Sequence, residues 1–266
     1  MSTAAFTPGL WLPVRSLWWR EVVRFYRQRT RVIGVILSPL VFWLVIGSGF
    51  GRSFQGAAGE ETYLEYFYPG ALIMIVLFTS IFTMMSVIED RREGFLLSVL
   101  VAPVSRSVIV LAKVLGGTTL AAAQGLIFLV FAPVVGAELG IGEVLFCAVI
   151  IFLVAFALTA LGFIVAWRLD SAQAFHAIVN LFLIPLWLLS GALFPLSGAS
   201  GWISAVMRIN PLTYGVDALR VVLFPQARPE TGVWPLPAIG ILTVFCGVMF
   251  VIAYLTANRT TTRPAS

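Results

Sequence analysis

Six apolar runs, each long enough to thread a bilayer as one helix, constrain this chain more than any other feature. They fall at roughly 32–50, 68–88, 107–135, 144–167, 174–195 and 233–256. At about 1.5 Å of rise per residue, each covers a hydrocarbon core of about 30 Å. With 60% hydrophobic residues and a mean hydropathy of +1.00, no separate soluble domain is expected. Lipid offers the backbone no hydrogen-bond partner, so such runs close their bonds internally as helices. Short alternating segments, the mark of a transmembrane β-barrel, are absent. The expected fold is an all-α membrane protein with six transmembrane helices.

Basic residues orient the bundle. With the N-terminus inside, the arginines of 15–31, Arg91, Arg92, Arg106, Lys113, Arg168, Arg259 and Arg263 share one side. Only Arg52, Arg208, Arg220 and Arg228 fall on the other, whose loops carry Glu60, Glu61, Glu65, Glu138 and Glu143. This asymmetry predicts cytoplasmic termini. The net charge of +5 reads as headgroup contact rather than nucleic-acid binding. The first apolar run follows some thirty residues rich in Arg and Trp. A retained first span is therefore expected rather than a cleaved leader.

Residues 1–31 do not span. Trp11, Val14, Trp18, Val22 and Phe25 recur every three or four residues, and Arg20, Arg24, Arg27 and Arg31 form a second stripe. That pattern predicts an amphipathic helix in the inner headgroup plane. Its arginines repel one another at i, i+4 unless lipid phosphates or a partner neutralise them. Residues 32–266 are read as one six-helix domain.

Between the second and third spans stand five consecutive charges, Glu89, Asp90, Arg91, Arg92 and Glu93, in a chain only 11% charged. The reading is a loop that leaves the bilayer and docks to another protein. Phe95, Leu96, Val99 and Leu100 make one apolar face. Acidic residues at the start would suit a helix N-terminus, and Pro103 would stop the helix. A short rod over about 89–103 follows. Before the last span, about 194–225 is apolar yet broken by Gly and Pro into pieces too short to cross. Asn210 fits a helix cap with Pro211 at the first position, and Asp217 and Arg220 can pair on one face. Two short helices that enter the outer leaflet and return are expected, with Tyr214 among them.

Catalytic chemistry is sparse. No Gly-Lys-Ser/Thr occurs, so the chain has no phosphate loop and is not itself an ATPase. His176 is the only histidine, and Cys147 and Cys246 lie in apolar runs without metal-ligand spacing. No metal site or intramembrane hydrolase is expected. Thr79, Thr83 and Ser86 follow one face of the second span; Asn180 and Trp187 follow one face of the fifth. These could line a mostly apolar cavity or serve helix packing.

Three segments together resemble the permease subunits of ABC-2 type transporters, notably the drug-exporter-like branch with the daunorubicin-resistance permeases. They are the Arg-rich N-terminal helix leading into Ser38-Pro39-Leu40, then Glu89 to Gly94 with Leu100 to Arg106 and Lys113. The third runs from Leu189-Ser190-Gly191 through Phe194-Pro195 to Asn210-Pro211-Leu212-Thr213-Tyr214 and Asp217 to Arg220. The resemblance implies a half-transporter that pairs, as a homodimer, with two copies of a cytosolic ATPase subunit that carries ATP and Mg²⁺. It also implies a coupling helix at 89–103 seated in the ATPase, an N-terminal helix touching it, and a re-entrant gate at 194–225. The expected function is export of a drug, antibiotic or lipid across the bacterial plasma membrane. Lipid-linked polysaccharide export is the alternative; an ion-coupled transporter would want charge inside the spans.

Overall fold

Tyr63–Thr83 (α3) is the axis of the molecule: it is buried along nearly its whole length and packs on three neighbouring spans. In a computed structural model, residues 11–50, 62–102, 104–137 and 139–259 are described. They form helices with no strand among the described residues. Ahead of α3 come α1 (Trp11–Arg27) and α2 (Arg29–Phe50). After it follow α4 (Met85–Arg92), α5 (Phe95–Val101), α6 (Arg106–Leu129), α7 (Ile141–Arg168) and α8 (Ala172–Trp187). The chain ends with α9 (Gly201–Ile209), α10 (Pro211–Leu223) and α11 (Pro235–Arg259).

Six helical stretches are long and apolar enough to cross a membrane: 32–50, Tyr63–Arg92, Arg106–Leu129, Ile141–Arg168, Ala172–Ala192 and Pro235–Arg259. The chain is an all-α, multi-pass membrane protein. α3 and α4 together make a stretch of 30 residues, about 45 Å long, which exceeds the core by about ten residues. α3 and α6 are packed centrally, whereas α2 and α11 leave most of their apolar surface outward, as lipid-facing helices do.

The third span is shorter than the expected 107–135. α6 ends at Leu129 and a 3-10 turn at Ala132–Val135 closes it, because Pro133 has no N–H to continue the ladder. The single rod expected over 89–103 is two helices. Gly94 adopts φ +76 between them, a left-handed conformation that costs glycine little. The five charges therefore lie in the last turn of α4 and just beyond it, not at the N-terminus of the following helix. Pro103, like Glu60, Glu61, Glu138, Arg52 and Arg263, lies outside the described residues, as does the Arg31 side chain.

Candidate functional site at the basic end

At the end where α1, α4, the start of α6 and the end of α7 meet, the conspicuous charges fold inward. Asp90 is fully buried. Arg20 holds it with two bonds, Nη1 to Oδ2 at 3.1 Å and Nη2 to Oδ1 at 2.7 Å. Arg24 adds Nη1 to Oδ1 at 2.6 Å, and the Lys113 ammonium donates to Oδ2. Lys113 also donates to Glu21 Oε1 at 2.6 Å and to Ser86 Oγ at 3.2 Å. Ser86 in turn donates to Glu21 Oε2 at 2.7 Å. Arg24 further pairs with Glu89 at 2.9 Å and Glu93 at 3.3 Å. The Arg20 guanidinium lies 3.6 Å from the centroid of Phe95, which ties α5 to the same cluster through a cation–π contact.

Asp90 thus lies inside the chain rather than in a loop that leaves the bilayer, and Arg20 and Arg24, expected to need lipid phosphates or a partner, are neutralised by α4. Their neutralising partner is in the chain itself. Trp18 also turns inward, its Nε1 donating to Thr119 Oγ1 at 3.0 Å. Arg27 stays exposed, alongside Trp11, Arg15, Trp19 and Tyr26.

The basic half of the motif faces the other way. Arg91 donates to the carbonyls of Leu169 at 2.8 Å and Trp167 at 2.5 Å and to Asp170 Oδ1 at 2.8 Å. Arg92 Nε reaches the Asp170 carbonyl at 3.2 Å. The last carbonyls of a helix lack intrahelical partners, so Arg91 and Arg92 cap α7 and fix its turn into α8. One five-residue motif clamps α1 on one side and the α7–α8 turn on the other. On α5, Leu96 is buried and Phe95 half-buried, while Leu97 and Val101, one turn apart, are 65% and 85% exposed. These two apolar side chains project from an otherwise fastened helix.

Sequence reasoning missed Glu21, and it named Ser86 and Lys113 without bringing them together with Glu21 and Asp90. The signal existed: Lys113 sits two turns inside an apolar run, where a charge needs a partner, and Glu21 is the sole acid among the arginines of α1.

The anticipated cavity is not assembled from the anticipated residues. Thr79 donates to Gln124 Oε1 at 2.6 Å, which turns it toward α6. Thr83 donates to the Ser80 carbonyl, and Asn180 is exposed. Of these residues Trp187 lines an apolar void of about 200 Å³ between α2, α3 and α8, with Ser38, Pro39, Phe42, Met74, Leu77, Phe78 and Ile184. It is almost wholly apolar.

At the opposite end, Asn210 caps α10, accepting from Leu212 N–H at 3.0 Å, with Pro211 at the first position. Its Nδ2 donates to the carbonyls of Leu186 and Leu189 at 2.6 and 2.9 Å, freed where α8 gives way to the wider turn Leu188–Ala192. Tyr214 donates to the Arg208 carbonyl. Asp217 and Arg220 do not pair. Asp217 accepts from the Glu230 and Thr231 amides, both at 3.0 Å, and from Thr231 Oγ1. Arg220 donates to Glu230 Oε1 at 2.8 Å and to the Gly191 carbonyl at 2.9 Å, 4.2 Å from the Tyr66 centroid. Burial pushes the Glu230 carboxyl above the ordinary carboxylate range, against the pull of Arg220 and the Leu196 amide. α10 is mostly buried, whereas α9 presents Trp202, Val206 and Ile209 outward.

This arrangement has a recognisable kin. The profile of the ABC-2 type transporter family matches residues 13–224. The chain belongs to that family. Over 244 residues it is 27% identical to the daunorubicin resistance ABC transporter permease protein DrrB1 of Streptomyces coeruleorubidus, covering 90% of this chain and 82% of that one. It is 28% identical over 204 residues to the ycf38 protein of Cyanophora paradoxa, covering 76% and 70%. Nodulation protein J of Rhizobium meliloti is 25% identical over 233 residues, covering 86% of each. An ABC-2 type transporter permease works with an ATPase partner, and the chain is a transport permease.

Proposed function

We propose that the chain is the conduit of an ATP-driven exporter that moves a hydrophobic or amphipathic compound, such as a drug, antibiotic or lipid, outward across the bacterial plasma membrane. The observation that carries this reading is the pairing of a fastened base with an exposed apolar tip. Leu97 and Val101 present about one helical turn of bare apolar surface on α5, and α5 is bound through Phe95, Arg20 and Asp90 to the span bundle. A partner that grips the tip moves the spans. The partner is a cytosolic ATPase subunit that holds ATP and Mg²⁺; two copies serve a homodimer of permease chains, with all termini cytoplasmic. Glu93, 60% exposed, and Arg92 flank the tip with polar contacts.

The cargo class follows from the void between α2, α3 and α8. Ser38 is its one hydroxyl-bearing side chain, and no ionised group lines it. A charged ion or a small sugar would find nothing there to replace its water. α9 and α10 form the outer closure, with α9 resting on outer-leaflet lipid and the N-terminal helix at inner headgroups.

The test is co-purification with the ATPase subunit. Leu97→Asp/Val101→Asp should abolish capture of the subunit while the permease remains in the membrane at wild-type level. Capture at full yield by that variant would contradict docking through α5.

A further inference from the structure

Lys113 is the chain's only lysine among 17 basic residues, and it is 4% exposed. An ammonium has three N–H donors and no acceptor. Three acceptors from two other helices converge on it: Glu21 Oε1 from α1, and Ser86 Oγ and Asp90 Oδ2 from α4. Every donor is matched. The planar fork of a guanidinium does not meet such a convergent set, which is a physical reason for lysine at a site surrounded by arginines.

The contact pattern shows what the ammonium joins. α1 does not merely touch α6 at one point. Val14 packs with Val108 and Ala112, Trp18 bonds Thr119, and Glu21 bonds Lys113. Farther along, Phe25 shares a small void with Leu120, Thr83 and Ser86. The partners are spread along α6 from Val108 to Leu120, so α1 runs lengthwise beside more than half of α6. Removing the ammonium alone would leave Glu21 and part of Asp90 as buried carboxylates without full compensation, which is strongly destabilising. The ammonium is therefore an ionic tie common to all three helices.

We propose that Lys113 is the positioning residue that makes α1, α4–α5 and α6 one rigid lever, so that a push on α5 reaches the third span and the N-terminal helix together. This rests on the ATPase-driven reading above for its use, but the rigidity is a property of the permease alone. Arg20 and Arg24 secure α1 to α4 from the partly exposed side. Lys113 is the charged link that extends this α1–α4 cluster to α6.

The decisive experiment places spin labels at Ser98→Cys on α5 and Leu126→Cys on α6, both exposed. The native Cys147 and Cys246 are buried and stay in place. The inter-label distance is measured in the purified permease in lipid nanodiscs, then in the complex without nucleotide and with trapped ATP. A narrow distribution that does not shift with nucleotide is expected. Lys113→Met alone can fail to fold, so the main variant is Lys113→Met/Glu21→Gln, which removes one charge of each sign and leaves Asp90 its two arginines. It should broaden the distribution in the permease alone and lower cargo-stimulated ATP hydrolysis of the complex at least fivefold. Lys113→Arg should recover only part of the stimulation. A distribution in the double variant as narrow as wild type, or full stimulation, overturns the proposal. If the wild-type complex shows no cargo stimulation, the ATPase-driven reading fails, and the nanodisc distances still decide whether Lys113 makes the unit rigid.

Discussion

Asp90→Asn separates an internal clamp from a solvated docking loop. The Asp90 carboxylate accepts two bonds from Arg20, one from Arg24 and one from Lys113, and it is fully buried. Asparagine keeps the shape but presents an amide NH₂ to cations and removes the charge that three of them share. Breaking one side of a buried pair costs about 3–5 kcal/mol. Arg20 and Arg24 are 30% and 21% exposed, so solvent screening places the expected loss near the lower figure, about 3 kcal/mol. For a chain of this size that is on the order of 10 °C in an apparent unfolding midpoint. Glu93→Gln, three residues on, removes one 3.3 Å pair from a side chain 60% exposed, which is worth at most about 0.5 kcal/mol. The assay is thermal unfolding of the detergent-purified permease, both variants beside wild type. Equal and small shifts would refute the clamp, because residues of a solvated loop would respond alike.

Other consequences follow from individual contacts. Gly70→Ala would set a Cβ 2.5 Å from Ala192 Cβ and 2.7 Å from Ala192 Cα; since backbone cannot yield cheaply, a loss of about 2–3 kcal/mol is expected, read by limited proteolysis between α8 and α9. Arg91→Met frees the Trp167 and Leu169 carbonyls, and faster amide exchange over 166–175 would report it. For Glu230, a carboxyl raised by burial binds protons more tightly folded than unfolded. Its contribution is therefore full below the ordinary carboxylate value and lost as pH rises through the raised one. The wild-type midpoint should fall with rising pH across that window relative to Glu230→Gln, and identical profiles would contradict it.

Hydropathy made the architecture legible because the span signal is additive over some twenty residues and tolerates errors at each end. Asn210 with Pro211 was legible as a cap because capping is local. What escaped was long-range. Glu21 meets Lys113 across 92 positions of sequence, and no periodicity within α1 points to α6. The charge run was visible, but its division into an acidic side facing α1 and a basic side capping α7 depends on α4 extending past the core. Asp217 and Arg220 share a face, as their spacing says, yet each finds a stronger partner in the loop at 230–231. Thr79 and Thr83 were correctly placed on one side of α3; the side turned out to be the packed one, because α6 supplies Gln124 as a partner.

The most direct measurement of the central claim is transport in proteoliposomes containing the permease with or without its ATPase subunit. Efflux of an amphipathic cargo should require the subunit, ATP and Mg²⁺ together, and Leu97→Asp/Val101→Asp should reduce it to the protein-free rate. Sustained uphill movement of the cargo by the permease alone would contradict it.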